Sequence, residues 1–210
     1  MSVETVFTED QLDMLMEAFN IGVGEAASAL SELANNCYEV LLSIPSARVV
    51  AVKNLAQELS IDITGDLCAV TQQYEGAIPG TAMLLYSEEE SLALVRLILA
   101  EEHEIDEMSE LAADALCEVG NILLNDCLAA LADMLEEEIK THLPMLLTGT
   151  CDEVLNRFSN GNLDAEILYL QMDFGLSGLD LNGFLGFSLG AESFSILREH
   201  IDLRLAALGA

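Results

Sequence analysis

Apolar residues between 9 and 35 recur every three or four positions: Leu12, Leu15, Met16, Phe19, Val23, Ala27, Leu30 and Leu33. That period predicts an amphipathic helix. Gly22 and Gly24 interrupt the stripe, which calls for close packing, a kink, or a break into two helices. A similar stripe runs through 107–139, at Leu111, Ala115, Leu116, Val119, Ile122, Leu123, Cys127, Leu131 and Leu135. Strand-like runs follow each helix. They lie at 40–50, 67–76 and 81–87, and again at 142–151, 166–175 and 184–190. After the third run of each set comes a polar turn and another helical stretch. Ser87 and Glu90 offer a capping box for the first of these.

The two sets read as copies. Glu-Ala-Phe-Asn-Ile at 17–21 aligns with Glu-Val-Gly-Asn-Ile at 118–122, about 100 residues later. The match extends loosely through Gln73–Gly76 against Gln171–Gly175, and through 80–99 against 183–201. A tandem duplication over about 9–100 and 107–205 accounts for this. Two copies of so long a unit do not make a solenoid, so the expectation is one pseudo-two-fold domain spanning 1–210. Each half reads helix, helix, several strands, helix. The predicted class is α+β, with helices packed on a mostly antiparallel sheet.

Charge narrows the partners. The 210 residues hold 37 acidic and 7 basic side chains, a formal net charge of −30. Polyanions are poor partners, because binding them needs clustered Lys and Arg. Anionic membrane surfaces are disfavoured as well. A 52% apolar content is too high for a disordered acidic polymer, so the charge belongs to a folded surface. The first residues lack the basic and apolar regions of a signal peptide, and no uninterrupted apolar run approaches a membrane span. Cys37, Cys68, Cys117, Cys127 and Cys151 contain no C-x-x-C pair and read as buried thiols of a reducing cytoplasm. His103, His142 and His200 fit no metal motif. Residues 101–138 carry thirteen acids and no Lys or Arg, which reads as a solvated helical face; 101–107 lacks the glycine and spacing of a calcium loop.

The candidate chemistry sits on the two long helices. Asp13, Glu17 and Asn20 follow D-x3-E-x2-N, and Asp114, Glu118 and Asn121 repeat it. Steps of four and three put all three residues on one helix face. A polar stripe opposite an apolar one points outward or into a groove, which suits action on another molecule. Asn is a poor helix former, so two mid-helix copies call for a reason. Asn125 continues the second polar face and reads as structural or exposed.

These residues resemble the CheC family of chemotaxis phosphatases, which includes CheC, CheX and the phosphatase portion of FliY. The resemblance rests on E-A-F-N-I-G-V-G-E-A-A-S-A-L-S at 17–31 and E-V-G-N-I-L-L-N at 118–125. The family pattern adds a proline 23 positions after the asparagine. Pro144 holds that place after Asn121, whereas Pro45 follows Asn20 by 25 positions. The likeness covers nearly the whole chain, and its layout is nearest to the two-repeat members.

The resemblance implies hydrolysis of the phosphoaspartate on the response regulator CheY, in the cytoplasm. Asn20 and Asn121 would orient the attacking water. Glu17 and Glu118 would dock the regulator's active-site lysine. Asp13 and Asp114 would support orientation or docking, and Pro45 and Pro144 would shape the groove wall. No cofactor or metal of the chain's own is implied; Mg²⁺ is expected on the phosphorylated regulator. The receptor deamidase CheD is a further partner the family suggests, with a contact near Asp126–Lys140. The alternative is a non-enzymatic interaction protein, either a CheD-binding adaptor or a flagellar-switch-like scaffold.

Overall fold

A computed structural model describes residues 6–33, 40–55, 65–99, 107–176 and 179–208. Five helices are named here: α1 (Glu9–Leu33), α2 (Glu88–Leu99), α3 (Glu110–Leu135), α4 (Cys151–Phe158) and α5 (Ala191–Leu208). The strands are β1 (Val40–Ala51), β2 (Leu67–Gly76), β3 (Gly80–Ser87), β4 (Ile139–Thr141), β5 (Met145–Gly149), β6 (Glu166–Leu176) and β7 (Leu179–Leu189). They form one sheet in the order β1-β6-β7-β3-β2-β4, with β5 also on β2, and the pairs are antiparallel. The order is symmetric about the β3–β7 pair. Each half contributes an inner hairpin, and its outer strand lies against the other half: β1 on β6, β5 on β2. The class is α+β, as the residue pattern predicts.

Both sheet faces are covered. α1 and α3 pack together across one face, with residues of α2 and α5 in the same apolar cluster. The helical residues 52–55 and α4 cover a smaller cluster on the other face. Strand alternation feeds both: Cys68 and Val70 of β2 enter the large cluster, Leu67 and Ala69 the small one. By length and composition α3 could cross a bilayer. Here its apolar side chains, including Leu116, Leu123, Leu124 and Leu131, are core.

Several expectations need correction. The pair of helices expected to open the first half is one continuous helix, α1. Gly22 marks close packing: a Cβ there would stand 2.7 Å from the Asp126 carbonyl oxygen and 2.8 Å from Cys127 Cα. Leu33 and Leu111, placed on the apolar stripes, are exposed because each lies in an end turn of its helix. The run 142–151 is a strand only at 145–149. Its last residue, Cys151, opens α4, a helix the apolar pattern did not indicate. The signal was Thr150-x-x-Glu153: Thr150 Oγ1 accepts from the Glu153 N–H, and the Glu153 carboxylate accepts from the Thr150 N–H. The Ser87–Glu90 capping box forms as expected. His103, Cys37 and most of the acidic stretch 101–107 lie outside the described residues.

Candidate active site

The edge strands share a deformation. On β1, Ser43 pairs with Asp173 and Ser46 with Gln171, so Ile44 and Pro45 together oppose Met172. At the other edge, the His142 N–H donates to the Gln73 carbonyl and Met145 pairs with Thr71. Leu143 and Pro144 therefore oppose Gln72. Each is a bulge of two residues against one, built around a proline that has no N–H for the ladder. A bulged edge also discourages pairing with other chains.

The bulges face the two asparagines. Ile44, released from the β6 ladder, donates its N–H to Asn20 Oδ1 at 2.9 Å. Asn20 Nδ2 reaches back to the Ile44 carbonyl at 3.5 Å. Asn20 is half-buried, and Glu17 and Asp13 on the preceding turns are exposed. In the second half Asn121 is half-buried, with Glu118 and Asp114 exposed. Here the inward partners are side chains. Asn125 Nδ2 donates to Asn121 Oδ1 at 3.0 Å. Gln72 Nε2 lies 2.9 Å from the His142 carbonyl, 3.1 Å from Asn125 Oδ1 and 3.5 Å from Asn121 Oδ1. An amide NH₂ has two protons, and the two shorter contacts take them. Each catalytic candidate thus has its amide oxygen held by one firm inward bond. One lone pair on each remains for an outside donor.

Helices α1 and α3 run antiparallel, since Asp10, Asp13 and Met14 share a groove with Ala130, Asp133 and Met134. That groove, closed by Arg204 and Leu205 of α5, holds about 720 Å³, and Glu17 and Ile21 line it too. Ile21, beside Asn20, is 53% exposed, and Leu143, in the second bulge, is 88% exposed. Large apolar side chains next to each polar triplet suit a docking surface. The structure thus brings Asn20 to the Ile44 backbone in the first bulge, and links Asn121 through Gln72 and Asn125 to the His142 carbonyl beside the second. Asp13 and Asp114 make no hydrogen bond or ion pair with another described residue.

Other titratable groups are structural. Burial pushes the thiols of Cys68, Cys117, Cys127 and Cys151 up, away from nucleophilic use. Burial, and then the nearby Glu25, hold Asp126 above the usual carboxylate range. His142 meets Glu75 at 3.2 Å and His200 meets Glu137 at 3.5 Å. Among the described residues no three His, Cys, Asp or Glu cluster to hold a metal. Gln72 is a functional candidate that the sequence did not single out, and Asn125, read there as structural or exposed, is another. A glutamine in the same strand-like stretch, two residues after the apolar run Leu67–Val70, was the available signal for Gln72.

No family model matches the chain. It is 26% identical over 151 residues to the CheY-P phosphatase CheC of Bacillus subtilis, covering 69% of each. Thermotoga maritima FliY superposes with a TM-score of 0.77 at 21% identity, over 94% of this chain and 98% of that one. A FliM middle domain from H. pylori gives 0.65 at 8%, over 92% and 99%. The chemotaxis protein CheX of Desulfovibrio desulfuricans gives 0.52 at 17%, over 84% and 99%. The chain thus shares the fold of the FliY, FliM and CheX structures and is similar in sequence to a CheC phosphatase.

Proposed function

We propose that the chain is a chemotaxis phosphatase that accelerates loss of the phosphoryl group from the aspartate of phosphorylated CheY. The observation that carries this reading is the repeated arrangement of an exposed glutamate one turn before an asparagine whose amide is held from within. Phosphoryl transfer to water needs an in-line nucleophile and stabilised charge rather than covalent help. The regulator brings its own Mg²⁺ and lysine. Asn20 and Asn121 accept from the water through the free lone pair of Oδ1, while the amide NH₂ can donate to a phosphoryl oxygen. Asparagine is a feeble base, so the gain comes from orientation. Glu17 and Glu118 pair with the regulator's lysine. Asp13 and Asp114 extend the docking face, and Pro45 and Pro144 keep each bulge against its site.

The test is phosphate release from a phosphorylated cognate regulator. The Asn20→Ala/Asn121→Ala double variant is expected to bind the regulator but lose the acceleration. Full acceleration by that variant sinks the mechanism.

The FliM-like fold favours a second reading, a non-enzymatic scaffold or adaptor. One such neighbour is a FliM bound to FliG. In that case the wild-type chain binds a switch protein or CheD, with the latter meeting Asp126–Lys140, and leaves the lifetime of the phosphorylated regulator unaltered. The exposed Glu–Asn pairs support the enzymatic reading.

A further inference from the structure

We propose that Gln72 and Asn125 are positioning residues of the second site, forming a side-chain relay that sets the orientation of the Asn121 amide; this rests on the reading of Asn121 as the group that orients water.

The argument starts at a fixed point. The His142 carbonyl can only accept, so the group of Gln72 facing it at 2.9 Å is the NH₂. That same NH₂ meets Asn125 at 3.1 Å, so Asn125 turns its oxygen inward. Its own NH₂ then faces Asn121 at 3.0 Å, and Asn121 answers with Oδ1. Three amides are thus ordered in sequence from one backbone carbonyl. The Asn121 NH₂ and one Oδ1 lone pair are left for an incoming molecule.

Among the described residues the first site has no such relay. By strand register, Thr71 beside the second bulge corresponds to Gln171 beside the first, two residues away from the loose sequence match of Gln73 with Gln171, so Gln72 corresponds to Met172. Gly24 occupies the helix position equivalent to Asn125. Asn20 is oriented instead by the backbone of Ile44. Gln72 is 1% exposed and its Oε1 has no hydrogen-bond partner among the described residues. A buried amide oxygen without a partner costs stability, which Met at the same place does not. The cost makes sense where the NH₂ end has a task. The two sites therefore achieve the same orientation by different means, and only the second can be disabled through the side chains beneath it.

The experiment isolates the sites. In an Asn20→Ala chain only the second site acts; in an Asn121→Ala chain only the first does. Gln72→Met, the residue of the corresponding position, and Asn125→Ala are each placed in both chains. Expected is a fall in kcat of about two- to tenfold in the Asn20→Ala chain, the scale of one hydrogen bond. KM should move far less. Equal losses in both chains mean general loosening and overturn the proposal, as does full kcat in the Asn20→Ala chain. Asn125 is only half-buried, so its variant decides if Gln72→Met fails to fold. The side-chain amide signals of Asn121 in a ¹⁵N–¹H spectrum give a readout independent of activity. In Gln72→Met they should shift while those of Asn20 stay. Shifts with no phosphate release by the wild-type chain would discard the phosphatase reading yet keep the relay; unmoved Asn121 signals discard the relay itself.

Discussion

Asn20 and Asn121 occupy equivalent places yet carry different structural burdens. Asn20 is the partner of the Ile44 N–H, and Ile44 is a core residue. Truncating Asn20 strands that N–H, which costs about 1–3 kcal/mol. Among the described residues Asn121 hydrogen-bonds only other side-chain amides, and half-buried Asn125 can turn to water instead. Urea unfolding should therefore find Asn20→Ala destabilised by about 1–2 kcal/mol and Asn121→Ala by well under half of that. Equal costs would mean the Ile44 contact contributes nothing. The polar triplets themselves were legible in the sequence, because helical spacing fixes a common face. The inward partners were not. Gln72 and the Ile44 backbone reach the helices only through strand pairing, and nothing in the local sequence encodes that meeting.

At the scale of elements, two glycines set how closely the helices lie. Gly22 lets α1 touch the backbone of α3, and Gly120 seats α3 on β2, where a Cβ would stand 2.4 Å from Val70 Cγ1. The obstacles differ. Gly22→Ala presses on backbone that cannot yield without moving a helix, so a loss of about 1–3 kcal/mol is expected. Gly120→Ala presses on one side chain. Val70→Ala should relieve it, making the double variant more stable than the sum of the singles by thermal unfolding. Additive effects would show that α3 shifts as a body instead. Strand and helix periods revealed most elements at nearly their true bounds. α4 escaped because a two-turn helix offers too few residues for a period, and only its capping box betrays it. The split of the expected strand 142–151 escaped because a bulge is a matter of register with another strand.

For the whole molecule the net charge of −30 sets the response to pH. Self-repulsion among carboxylates eases as they protonate. Asp126 acts in the same direction. Its folded value is raised by burial and by Glu25, so the native state holds the proton more tightly. Its penalty is full above the raised value, fades as pH falls through it, and is gone below the ordinary Asp range. Glu153, hydrogen-bonded by Thr150, and Asp164, paired with Lys53, have lowered values and act oppositely. Their contribution is present above the ordinary carboxylate range and is lost as pH falls through the lowered values. The urea midpoint should thus rise as pH drops from 8 toward mildly acidic values, then fall in stronger acid. Asp126→Asn should be more stable than the wild type at pH 8 and lose that advantage in acid. A midpoint that falls steadily from pH 8 downward would contradict this account.

The exchanged outer strands also govern how the chain is made. β1 leaves the ribosome before its partner β6, which lies more than a hundred residues downstream. At about 5–20 residues per second, β1 waits on the order of ten seconds for a neighbour. Throughout that wait it is an apolar strand with an open edge. The proline-centred bulge that later serves the first site is then its guard. It interrupts the run of N–H groups that another nascent chain could use as a template. One deformation therefore protects the polypeptide during synthesis and, once the sheet has closed, becomes the wall against which Asn20 is set.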